Sequence, residues 1–85
     1  MAKVEIYTKA FCPYCARAMR LLDEKGVAPE EIDITMDRHA RDAMVERADG
    51  RTTVPQIFIN GAHVGGSDDL AALEATGELD ALLAA

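Results

Sequence analysis

Eighty-five residues are too few to divide into two cores, so residues 1–85 are expected to form one domain. At 49% hydrophobic the chain is too apolar for a disordered segment, yet no window offers the roughly 20 apolar residues of a membrane helix. A formal charge of −6, from 9 Lys and Arg against 15 Asp and Glu, argues against nucleic acid, whose phosphates need a basic footprint, and suits solubility. The opening "MAKVEIYT" passes directly into an alternating pattern without the apolar run of a signal peptide. A cytoplasmic protein is expected on that ground, in a reducing compartment where lasting structural disulfides are rare. With no large apolar patch beyond the predicted core faces, a monomer is expected.

"KVEIYT" (3–8) alternates and predicts the first strand. "PYCARAMRLLDEKG" (13–26) predicts a helix. Pro13 suits its first position, where the missing N–H costs nothing, and Gly26 suits its stop. Cys15, Ala18, Met19 and Leu22 fall on its inner face. "EEIDIT" (30–35) reads as a second strand with Ile32 and Ile34 on one face. From a cap at Asp37 a second helix is expected to reach about Asp49, burying Ala40, Ala43, Met44 and Ala48, with Gly50 as its stop. "QIFI" and "AHV" flank Asn60-Gly61, the strongest short hairpin signal a sequence carries. Ser67 is expected to cap a third helix, with Asp68 and Asp69 in its first turn where negative charge is favoured. Leu70 and Leu73 would face inward; after Gly77, Leu79, Leu82 and Leu83 predict a final amphipathic turn or two. The order β-α-β-α-β-β-α implies an α/β domain with a small mixed four-stranded sheet flanked by helices. Its first two strands would be parallel through a right-handed crossover, its last two antiparallel.

Only two cysteines are present, Cys12 and Cys15, in "TKAFCPYCARA". One precedes the first helix and the other lies in its first turn, so their α-carbons should be about 5 Å apart, within disulfide range. A helix N-terminus and Lys9 both favour thiolate at Cys12, and such sites bring a thiol from about 8.5 down to between ~3.5 and ~7.5. Cys12 is therefore expected to attack and Cys15 to resolve. A structural disulfide would close a trivial loop in the wrong compartment. A zinc site would have to recruit His39 and His63, at spacings unlike a zinc finger. A redox-active pair after a strand and opening a helix remains the leading reading.

"YTKAFCPYC", "RTTVPQIFING" and "GGSDDL", in this order and spacing, resemble the dithiol glutaredoxins over nearly the whole chain. The resemblance implies a thioredoxin-like fold and an enzyme of glutathione-dependent thiol–disulfide exchange. Cys12 would take the glutathionyl group from a client protein, and a second glutathione would release it. Cys15 would serve when a protein disulfide is reduced by the dithiol route. Glutathione is thus implied as a co-substrate, with no tightly bound cofactor and no metal, and glutathione reductase and NADPH would act indirectly. The tripeptide backbone would pair with Val54, before a cis Pro55, beside Thr53. Its γ-glutamyl carboxylate would meet the Ser67 and Asp68 amides after Gly66, and its ammonium Asp68 or Asp69. Its glycine carboxylate would meet Lys9 or Arg41, and Tyr14 would line the groove. Many glutaredoxins carry a further cysteine where this chain has Ser67, which leaves Cys12 and Cys15 as the only thiols. Two rival functions stand beside this one. A [2Fe–2S] carrier is disfavoured because Pro13 stiffens the loop where such carriers have glycine or serine. A donor reduced by thioredoxin reductase is disfavoured by the glutathione-site residues.

Overall fold

The computed structural model describes residues 2–85. Eight elements follow in the order β1 (Val4–Thr8), α1 (Pro13–Glu24), β2 (Glu30–Asp33), α2 (Arg38–Arg47), β3 (Gln56–Ile59), β4 (Ala62–Gly65), α3 (Ser67–Thr76) and α4 (Glu78–Ala84). The four strands form one sheet in the order β2-β1-β3-β4. As expected, β1 and β2 run parallel, joined through α1, and β3 and β4 form an antiparallel hairpin. The pairing of β1 with β3, also antiparallel, closes the sheet.

Strand alternation divides the core between the two faces. Val4 and Ile6 of β1 and Ile57 and Ile59 of β3 pack with Ala18 and Leu22 of α1, Leu70 of α3 and Leu79 of α4. Tyr7 and Phe58 point the other way, against Ile34, Met44 and Ala48. α1, α3 and α4 thus cover one face and α2 the other. On the α2 side an arginine completes the cover. The Arg47 guanidinium lies 4.0 Å from the Phe58 ring centre and pairs with both Glu5 carboxylate oxygens at 2.9 and 3.2 Å. It also donates to the Tyr7 hydroxyl at 3.0 Å. The guanidinium's hydrogen bonds hold the Glu5 carboxyl below its ordinary range.

The hairpin turn meets its demand for two left-handed residues with Asn60 at φ 51° and Gly61 at φ 81°. Asn60 also accepts from the Lys3 N–H at 2.9 Å, fixing the turn to the start of β1. Pro13 is the first residue of α1, and Asp37 caps α2 by accepting from the Ala40 N–H at 3.0 Å.

Four expectations need correction. β2 ends at Asp33, although Ile34 remains buried just beyond it, because the Asp33 carboxylate accepts from the Thr35 N–H and hydroxyl and turns the chain. α2 ends at Arg47, two residues short of the expected Asp49, which already has φ 57°. Ala43 is exposed, because the buried stripe runs through Ala40, Met44 and Ala48 and Ala43 lies a quarter-turn off it. Ser67 is the first helical residue of α3, and the cap is Gly66. The Asp69 carboxylate accepts from the Gly66 N–H at 2.8 Å, so the serine hydroxyl is free for a longer-range partner. The final amphipathic turns form a separate helix, α4, after Gly77 adopts φ 81°.

Candidate active site

β1 ends against the start of α1, and the loop between them carries both the nucleophile candidate and its approach. Phe11 stands at φ 58°, a sparsely populated region for a bulky residue, with its ring fully exposed beside Cys12. Cys12 caps α1: its sulfur accepts from the Cys15 N–H at 3.2 Å. Helix starts hold anions in this way, with free N–H groups and the positive end of the dipole. Both cysteines are free thiols, Cys12 partly exposed and Cys15 buried at 5%. Burial, reinforced by the hydrogen bond with Cys12, pushes the Cys15 thiol up to about 12. Iodoacetamide at pH 7.5 is accordingly expected to label Cys12 and spare Cys15 in the reduced, folded protein. Cys15 labelling should emerge only as pH climbs toward 12 or when the chain is unfolded; mass spectrometry of the alkylated peptides reads both.

Across from the sulfurs lies the turn before β3. The Val54–Pro55 peptide is cis, and the Val54 carbonyl oxygen is 3.9 Å from Cys12 Sγ. Thr53, at the head of this turn, is exposed. Gln56, fully buried, holds the turn in place by donating to the Thr53 carbonyl at 2.9 Å and the Thr53 hydroxyl at 3.2 Å. Its amide oxygen meets His63 Nε2 at 2.7 Å, which requires that nitrogen to carry a hydrogen. His63 also packs against Phe58 with ring centres 5.1 Å apart. This imidazole, one that the zinc alternative would have needed, is therefore part of the sheet.

The start of α3 forms the third wall. In the first turn the Ser67 and Asp68 N–H groups have no intrahelical partner. Arg17, on α1, reaches this wall: its Nε donates to the Ser67 hydroxyl at 2.9 Å and its Nη2 pairs with Asp68 at 2.6 Å. Asp68 stays 89% exposed despite that contact. Asp69 is occupied differently, by the Gly66 N–H and by Arg51 at 3.2 Å, and the backbone bond is the main reason its carboxyl lies below the ordinary range. Gly65, at φ 121°, leaves room for this arrangement, because a β-carbon there would collide with the Asp69 carboxylate.

Among the residues expected in the site, Cys12, Cys15 and Lys9 border one shared cavity. Val54 and Pro55 stand in the turn before β3, with the Val54 carbonyl toward the nucleophile candidate, and Gly66, Ser67, Asp68 and Asp69 stand at the head of α3. Tyr14, 59% exposed, stands between the two cysteines in sequence and projects from the first turn of α1. Arg41 lies in the first turn of α2, exposed and without a side-chain hydrogen bond or ion pair among the described residues. Sequence reading passed over Arg17, Arg51 and Gln56, and weighed His63 only as a zinc ligand. Apart from the Gln56 bonds to Thr53, their partners are 7 to 51 residues away in sequence, and no local pattern announces them.

A family model described as glutaredoxin matches residues 4–64. The chain belongs to the glutaredoxin family. It is 58% identical over 83 residues to Glutaredoxin 3 of Escherichia coli (strain K12), covering 98% of this chain and 99% of that one. The solution structure of a glutaredoxin from Brucella melitensis superposes with a TM-score of 0.85 at 55% identity, covering 98% of this chain and 89% of that chain. The crystal structure of a buckwheat glutaredoxin–glutathione complex superposes with a TM-score of 0.88 at 28% identity, over 98% and 77% respectively. The thioredoxin-like fold expected from the motifs is therefore the fold of this glutaredoxin, and its activity is that of a glutathione-dependent thiol–disulfide oxidoreductase. No helix among the described residues is long and apolar enough to cross a membrane.

Proposed function

We propose that this glutaredoxin reduces glutathionylated and disulfide-bonded client proteins with Cys12 as nucleophile and Cys15 as resolving thiol. The observation that carries the assignment is the Cys15 N–H donating to Cys12 Sγ at the head of α1, with the Val54 carbonyl 3.9 Å from the same sulfur. In the monothiol route the Cys12 thiolate attacks the glutathione sulfur of a mixed disulfide. The client leaves as a thiolate and is protonated, and Cys12 carries the glutathionyl group. A second glutathione thiolate then attacks that sulfur, Cys12 leaves, and oxidised glutathione departs. In the dithiol route Cys15 displaces the client from Cys12, and glutathione later reduces the Cys12–Cys15 disulfide in two steps.

Glutathione would lie along the cis-proline turn, its backbone pairing with Val54 beside Thr53 and Pro55 as an added strand pairs with a sheet edge. The γ-glutamyl carboxylate fits the Ser67 and Asp68 N–H groups next to Gly66, and the ammonium fits the exposed Asp68 carboxylate, with Asp69 occupied in holding the helix cap. Lys9 or Arg41 would meet the glycine carboxylate, and Tyr14 would wall the groove. The bound tripeptide in the buckwheat relative supports this reading. Regeneration by glutathione reductase and NADPH, action as a monomer and residence in the cytoplasm belong to the same proposal.

The test couples reduction of a glutathione mixed disulfide to NADPH oxidation in the presence of glutathione and glutathione reductase. Turnover that requires glutathione is the expected result. A protein idle in that assay but driven by thioredoxin reductase alone would overturn the glutathione assignment.

A further inference from the structure

Beside the cysteines a cavity of about 490 Å³ opens between β2 and α1. Cys12, Cys15, Lys9, Thr8 and Glu31 border it, together with apolar atoms of Met19. The glutathione groove proposed above shares Cys12 and Lys9 with it but calls on neither Thr8 nor Glu31. Its chemistry matters because the dithiol route has an unmet need. Cys15 must lose a proton before it can attack, yet burial keeps that thiol neutral far above physiological pH. Something near Cys15 has to accept the proton.

The titratable groups that face the cavity are Cys12 at the cap of α1, Cys15 in its first turn, Lys9 from the loop after β1, and Glu31 from β2. At the resolving step Cys12 is tied up in the mixed disulfide, and an ammonium has no acceptor to offer. Glu31 is the carboxylate left. Glu31 is exposed at the cavity's edge, and the buried Thr8 hydroxyl donates to its Oε2 at 2.8 Å, which orients the carboxylate. Glu31 sits on β2, the edge strand, opposite Ile6 in the parallel pairing, so its side chain shares the α1 face of the sheet with Thr8.

We infer that Glu31 accepts the Cys15 proton, directly or through a water in this cavity, as Cys15 attacks the mixed disulfide on Cys12. The inference rests on the role given to Cys12 under the proposed function. The Cys15 S–H proton passes to the Glu31 carboxylate. The Cys15 sulfur bonds to Cys12 Sγ, and the Cys12–client or Cys12–glutathione S–S bond breaks. The departing thiolate takes up a proton from solvent, and Glu31 returns its own to water. The cysteine pair loses two electrons and the substrate disulfide gains them. In the reverse sense, when glutathione opens the Cys12–Cys15 disulfide, Cys15 leaves from a buried site and a protonated Glu31 would supply its proton.

Rapid-quench mass spectrometry of the reduced protein mixed with oxidised glutathione separates formation of the Cys12 mixed disulfide from its first-order decay to the Cys12–Cys15 disulfide. In Glu31→Gln the mixed disulfide should accumulate and decay about 10²-fold more slowly or worse, the lower end of what general bases contribute. Its decay should climb more steeply between pH 6 and 9 than in wild type, because hydroxide must replace the carboxylate. Thr8→Val, which keeps the volume and removes the orienting hydroxyl, should slow the same step by a smaller factor. Decay in Glu31→Gln that is as fast as wild type, or faster, with a parallel pH profile overturns the inference: a carboxylate that merely raises the Cys15 pKa would give the faster result. A wild-type protein that forms no mixed disulfide at Cys12 instead overturns the nucleophile assignment on which the inference stands.

Discussion

Cys12→Ser is expected to lose glutathione-coupled activity by at least ~10³-fold, while Cys15→Ser keeps a substantial share of it on glutathionylated substrates. The asymmetry follows from the geometry at the head of α1. Serine at position 12 offers an oxygen that cannot enter disulfide exchange, so neither route has a first step. Serine at position 15 removes the resolving thiol but keeps the backbone N–H that donates to Cys12 Sγ at 3.2 Å. The monothiol route, which never calls on Cys15, therefore survives. Reduction of a protein disulfide should fall sharply in Cys15→Ser, since a client left on Cys12 then waits for glutathione to displace it. Both activities in both variants, measured at equal concentrations, decide the matter. A dead Cys15→Ser beside an active Cys12→Ser would reverse the assignment.

Much of this fold could be read from short stretches because local chemistry and tertiary structure agree in them. Pro13 opens α1, Asp37 caps α2 and Asn60-Gly61 makes the hairpin because each satisfies a backbone demand with its own side chain or φ preference. Reading failed where that demand was met from elsewhere. Ser67 has the right chemistry for a cap, but Asp69 takes the Gly66 N–H and Arg17 takes the Ser67 hydroxyl. Ala43 is apolar in a helix whose inner face is finished by Arg47, a charged residue that binary patterning assigns to solvent. The adjacency of β1 and β3 has no sequence signature, because strand order depends on which edges remain free after the crossover.

The site shows the same division. Cys12, Cys15, Val54 and Pro55 stand in motifs whose spacing is itself the signal. Gln56 reads from sequence as one more strand residue, yet its buried amide is what ties the Thr53 turn to His63 on β4. Arg17 reads as a solvated helix residue, yet it spans 50 positions to Ser67 and 51 to Asp68. Glu31 alternates outward on a polar edge strand and gains meaning only when β1 brings Thr8 beside it and α1 brings Cys15 across the cavity. Residues that act through a neighbour's position, rather than through their own spacing, need the fold before they can be seen.

The largest stability loss from a single truncation is expected at Phe58. Phe58→Ala should cost about 3–5 kcal/mol, the usual range for deleting a buried aromatic ring. Phe58 is 1% exposed on β3, and its ring meets Tyr7 edge-on at 5.8 Å, the Arg47 guanidinium at 4.0 Å and the His63 ring at 5.1 Å. Removing it leaves a void on the α2 face and strips Arg47 of the π surface over which its charge is partly desolvated. A domain of 85 residues has roughly 4–13 kcal/mol in total at ~0.05–0.15 kcal/mol per residue, so this one ring carries a large fraction. Thermal unfolding followed by circular dichroism should show a drop of at least about 12 °C, whereas Leu82→Ala, at a 39% exposed position, should move little. A loss under ~1 kcal/mol at Phe58 would mean that the α2 face can collapse around the void. The loss should also reach the site. Phe58 is two residues after Gln56 on β3, and Gln56 holds the Thr53–Val54–Pro55 turn. A looser β3 no longer fixes that turn against Cys12. Conditions mild enough to keep Phe58→Ala folded should therefore still show a raised KM for glutathione, with the Cys12 thiol itself reactive.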